Sequence, residues 1–192
     1  NPLSLVNIYV LTPLPGTPLY SQMEAEGRML PESELADVHG QYKFNWKHPF
    51  ISRDDSKKFL DFAFMRDFEL NGPSLYRICQ TTLEGLKRYR LHPDLRVRER
   101  FEREAKALRM QYSALLWAME RHMRFTNDAV AAKIADLRHE IRSECGTVRS
   151  ASFASIFGPV MLWLTKREEK RLARGVTYEP KTFVERKNWI PT

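Results

Sequence analysis

Only the opening stretch of this chain reads as a β-strand. Leu5-Val6-Asn7-Ile8-Tyr9-Val10-Leu11 is a nearly continuous apolar and β-branched run, the pattern of a strand covered on both faces of a parallel sheet. One such strand is not stable alone, because its ladder partners have to come from elsewhere. The run feeds directly into Leu11-Thr12-Pro13-Leu14-Pro15-Gly16-Thr17-Pro18-Leu19-Tyr20. Two prolines at alternate positions fix φ and hold the exit extended, and Gly16 permits a φ that other residues avoid. Thr17 can cap a helix whose first residue is Pro18. A short helix is predicted from Pro18 to Glu26, with Leu19, Tyr20 and Met23 on one side and Gly27 as its stop. Strand, turn and helix make one β/α unit, as at the end of an α/β barrel.

Everything after this unit reads as helical, so the fold class is mainly α. The expected organisation is a terminal β/α unit over residues 1–30, an irregular connector over 31–52, a helical domain over 53–175 and an extended tail over 176–192. Pro31, Gly40 and Pro49 interrupt the connector. Ser52-Arg53-Asp54-Asp55 has the Ser-x-x-Asp form of a capping box and opens a helix that runs to Leu70, before Asn71-Gly72-Pro73. Phe59, Phe62, Ala63, Phe64 and Phe68 cover most of that helix, which predicts a helix wedged between two layers. A second helix is predicted over Ser74 to Tyr89, with Leu75, Ile78, Leu83 and Leu86 inward. Val97, Phe101, Ala105, Leu108, Tyr112, Leu115, Met119 and Met123 then recur at intervals of three and four, which predicts one continuous helix of about 45 Å. A further helix spans Asp128 to Cys145. The last, Ala151 to Arg174, joins a strongly apolar half to Lys166, Arg167, Lys170, Arg171 and Arg174, and Gly158-Pro159 is expected to kink or break it.

The 192 residues carry a formal charge of +7, 43% hydrophobic and 29% charged residues, an ordinary balance for a globular domain with a real core. The charge is uneven. Lys87 to Arg109 holds nine basic and four acidic residues, whereas residues 1–72 hold seven basic and ten acidic. The basic stretch is either a solvated helix face or a docking surface for nucleic acid or an acidic protein, although no aromatic platform or nucleic-acid motif accompanies it. The apolar part of Ala151 to Arg174 is too short to span a bilayer, which needs about 20 residues. Its neighbouring cations leave burial and attachment to an anionic membrane surface as its two readings. The two cysteines, Cys79 and Cys145, stand far apart, and none of the five histidines lies at ligand spacing from them. They predict a reduced, cytoplasmic setting and no metal site within the chain. No signal peptide is visible at Asn1, and the start is expected to be a truncated one.

The segment from Leu5 to Leu19 resembles the last-strand motif of radical S-adenosylmethionine (SAM) enzymes, particularly those carrying a cobalamin-binding domain, where a strand ends in Thr-Pro-x-Pro-Gly-Thr-Pro-Leu. The resemblance continues through Trp46-Lys47-His48-Pro49-Phe50, Leu70-Asn71-Gly72-Pro73-Ser74-Leu75 and Tyr178-Glu179-Pro180-Lys181-Thr182-Phe183, which look like the helical extension and tail of such members. It implies that the chain is the carboxy-terminal part of an enzyme that cleaves SAM reductively at a four-iron four-sulfur (4Fe-4S) cluster to give a 5′-deoxyadenosyl radical. In many members cobalamin then relays a methyl group. Leu11, Thr12, Pro13, Pro15, Gly16 and Thr17 would lie near bound SAM, mostly through backbone groups. The Cys-x-x-x-Cys-x-x-Cys loop that holds the cluster is not in this sequence, nor is a cobalamin domain, so by resemblance the cobalamin-binding and barrel regions that precede the motif supply both cofactors. No catalytic or metal-ligating residue is assigned within the chain, and the substrate is not legible from it.

Overall fold

The computed structural model of the chain describes residues 6–30 and 42–176. Their regular structure is helical: α1 (Pro18–Ala25), α2 (Arg53–Asn71), α3 (Ser74–Tyr89), α4 (Leu95–Arg109), α5 (Gln111–Met123), α6 (Asp128–Cys145) and α7 (Val148–Leu172). The mainly α expectation holds. Residues 31–41 of the connector, and the tail apart from Val176, lie outside the described residues.

Local chemistry fixes the helix starts. Ser52 Oγ accepts the Asp55 amide at the front of α2, Asn127 Oδ1 accepts that of Val130 at α6, and Thr147 and Ser150 make a reciprocal capping box at α7. Helices α3, α4, α5 and α6 surround the larger core, built on Cys79, Leu83, Leu108, Leu116, Val130 and Ile134, all essentially inaccessible. α7 lies along α5 on the outside of this group. A smaller core gathers Val10, Met23, Phe44, Trp46 and Leu60 beneath the proline loop.

Four expectations are corrected. Residues 6–11 form no strand, and the β-pairing among the described residues is the isolated bridge between Met29 and Trp46. The physical reason is the one the sequence supplies: a ladder needs a second strand, and none of the described segments provides it. The long helix over 97–123 is broken at Met110, whose φ of −124° and ψ of −84° leave the helical region. The break lets α4 pack on α3 while α5 packs on α7 and α6, which one straight rod could not do. α7 is not broken at Gly158-Pro159; it runs through both as a 25-residue helix that starts at Val148. Finally, α2 is not wedged between layers. Phe59, Phe62 and Met65 are more than half exposed, and only Ser56 and Leu60 of this helix are buried.

Burial of Cys79 has a measurable consequence. Desolvation pushes its thiol up from 9.0 to about 12. Because the folded pKa lies above that of the unfolded chain, this group's contribution to stability is complete below pH 9 and is lost as pH rises from there towards 12. Cys79→Ala is expected to flatten that alkaline decline in urea titrations, and a decline as steep in the variant would assign it to other groups.

Candidate functional site

The loop from Leu11 to Thr17 is held from behind by two side chains of residues 42–50. Asn45 is fully buried, and its Nδ2 donates to the Pro13 carbonyl at 2.9 Å. Trp46 Nε1 donates to the Leu11 carbonyl at 3.1 Å. Trp46 is itself fixed: its backbone bridges to Met29, the Arg28 guanidinium lies 4.8 Å from its ring centroid, and Phe44 meets it edge-on. The loop also braces itself. Thr12 Oγ1 donates to the Val10 carbonyl at 2.9 Å, and Thr17 Oγ1 donates to the Leu14 carbonyl at 2.7 Å while accepting the Tyr20 amide that it caps. Gly16 sits at φ +82°, in the left-handed region that a side chain disfavours, and it turns the chain into Pro18 at the first position of α1.

The six residues singled out from the sequence divide by this geometry. Thr12 and Pro13 are buried and support the loop from within, Thr17 is half-buried and engaged through its hydroxyl, and Leu11, Pro15 and Gly16 face outward. Among the described residues, the backbone amides of residues 6–12, Leu14 and Gly16 donate to no protein acceptor. Asn45 Oδ1 is likewise a buried acceptor with no donor there. The loop is thus a backbone braced from behind, set over an aromatic base of Phe44 and Trp46. Beside it, Ile8, Val10, Leu11, Phe44, Phe59 and Ala63 line an apolar groove of about 260 Å³.

No protein-family model, curated protein or solved structure matches the chain.

Sequence reasoning placed the loop but missed Asn45 and Trp46 as its tethers. An amide between two aromatics, Phe44-Asn45-Trp46, is the available signal: a polar side chain flanked by core residues has to find a partner in the interior. The described residues contain no group of three or more metal-ligating side chains. Cys79 is sealed in the larger core, and Cys145 Sγ lies 3.4 Å from the Ile141 carbonyl at the end of α6. A buried thiol that resists ionisation does not fit the thiolate chemistry of an iron-sulfur cluster. The alternative site, the basic stretch from Lys87 to Arg109, is partly occupied by the fold itself. Lys87 pairs with Glu140 and Arg90 with Glu144 on α6, and Arg100 pairs with Glu104.

Proposed function

We propose that this chain is the closing strand-and-helix unit and the helical carboxy-terminal domain of a radical SAM enzyme of the cobalamin-binding type. The observation that carries the reading is the proline loop, whose back is tethered through Asn45 and Trp46 while the amides of residues 6–16 meet no acceptor among the described residues. Residues 6–11 offer the edge that a neighbouring barrel strand pairs with. The adjoining apolar groove and the exposed Phe59, Phe62 and Met65 of α2 offer the face that the rest of a barrel covers.

Backbone amides at Leu14 and Gly16 suit a polar ligand such as the adenosyl part of SAM, because Pro13 and Pro15, one before each, hold their direction. Pro13 and Pro15 donate nothing and act by rigidity; Thr17 acts by keeping the turn and the start of α1 in register. When bound at its cluster, SAM supplies the radical chemistry, and the protein orients it and excludes water. The cluster and any cobalamin belong, in this reading, to the cobalamin-binding and barrel regions that precede the motif.

The test uses the full-length polypeptide, purified without oxygen and reconstituted with iron and sulfide. It is expected to release 5′-deoxyadenosine from SAM under reduction. Gly16→Val, which forces a β-branched side chain into a left-handed turn at a cost of about 1–3 kcal/mol, is expected to lower that rate about tenfold or more by misdirecting the amides. No cleavage by the parent protein, or an unchanged rate in the variant, overturns the reading.

A further inference from the structure

The outer side of α7 is a separate feature that the radical SAM reading does not use. At 100° per residue, Phe153, Ile156, Phe157, Val160, Trp163 and Leu164 fall within one arc of about 120°. Ala154 and Gly158, on the opposite side, are buried against the bundle, whereas Ile156, Val160 and Trp163 are 65%, 46% and 58% exposed. The same arc carries Arg149 before the apolar patch and Arg167 and Arg171 after it, Lys170 borders it, and Arg174 follows just past the end of the helix. Both carboxylates of the helix lie off it: Glu169 turns inward to His122 Nε2 at 2.8 Å, and Glu168 sits at the flank beside Arg171.

We propose that this face of α7 docks on the surface of a bilayer containing anionic lipid. The apolar patch, about 17 Å long, is as wide as an interfacial helix needs, and no helix among the described residues is long and apolar enough to cross a membrane. The cations that flank it match the phosphate level of such a surface, and Trp163 is of the type that settles between headgroups and acyl chains. The hydroxyl bordering this face is already prepared for low polarity. Ser152, at the edge of the arc, donates to the Val148 carbonyl at 3.1 Å, so it enters an apolar phase satisfied.

Charge distinguishes this occupant from the other two. A symmetric pair of α7 helices would set cations against cations in either orientation: Arg149 faces the partner's basic end when they run antiparallel, and the two basic ends meet when they run parallel. A nucleic acid would satisfy the cations and leave six apolar side chains against phosphate or water.

The experiment is flotation of the full-length protein with vesicles of phosphatidylcholine alone or with about one third phosphatidylserine. At low salt the protein is expected to float with the anionic vesicles about tenfold more than with the neutral ones, and less as salt rises. Trp163→Glu is expected to reduce flotation about tenfold, and the pair Arg167→Glu with Lys170→Glu to remove the preference for phosphatidylserine. All three positions are exposed, so the variants should keep the parent thermal unfolding curve, which serves as the control for folding. The proposal is overturned if the parent protein stays in the aqueous fraction, or if neither variant changes flotation. It is also overturned if sedimentation shows a dimer that Trp163→Glu dissolves without vesicles present, or if the face binds duplex DNA equally well with and without Trp163. None of these readouts involves SAM cleavage, so failure here leaves the enzymatic reading standing, and the reverse holds too.

Discussion

Glu120→Ala is expected to lower the free energy of unfolding by about 3–5 kcal/mol, because it strands a positive charge inside the helical bundle. The Glu120 side chain is 4% exposed on α5 and receives Arg138 of α6, itself 18% exposed, together with Arg124, which caps the end of α5. Water screens the Arg124 contact, since that guanidinium is mostly outside, so its share is small. Arg138 is different: without the carboxylate it keeps its burial and loses its counter-charge. The paired replacement Glu120→Leu with Arg138→Met should recover much of the loss, since an apolar pair of similar size removes the desolvation problem from both sides. Urea titration checks both variants. A loss below about 1 kcal/mol in Glu120→Ala would mean that the pair behaves as a surface contact.

Gly158→Val is expected to cost about 3 kcal/mol, at the upper end of the range for overpacking a close contact. A Cβ placed on Gly158 would stand 2.5 Å from Cε3 of Trp117, closer than any real contact of that kind. The indole cannot easily retreat, because the Arg121 guanidinium lies 3.6 Å from its ring centroid. Gly158→Ala is the sharper probe of the same contact. In a helix interior that change ordinarily stabilises by about 1 kcal/mol, so a net loss would isolate the steric clash. Trp117→Leu in the alanine background should relieve it, and additive effects in that double-mutant cycle would show that the two residues do not meet as described.

The same glycine shows where sequence reading stops. Gly158-Pro159 looks like punctuation because both residues disfavour helix, yet the glycine stands where two helices approach each other and the helix continues through the pair. Features set by a few neighbouring residues were legible: the Ser52 cap, the extent of α6, and the turn through Gly16 and Thr17 into Pro18. Those set by distant partners were not. Apolar periodicity runs unbroken through Met110, and the bend there follows from α4 and α5 packing on different neighbours. Phe59 and Phe62 have the spacing of core residues, but spacing does not reveal whether the covering surface is part of the same molecule. The loop was identified from its own residues, while its anchoring by Asn45 and Trp46, more than thirty positions later, is a tertiary fact.

The way α2 is moored gives the molecule a mechanical character. Near its front, Leu60 belongs to the cluster under the proline loop; at its rear, Asp67 takes the buried Arg77 of α3, and the Lys133 ammonium of α6 ties down the carbonyls of Glu69 and Leu70. At 19 residues this helix is a rod about 28 Å long that reaches from one core to the other. The cluster beneath the proline loop and the helical bundle are therefore joined through one helix, whose rear end is fixed to α3 by the Asp67–Arg77 pair and to α6 by Lys133.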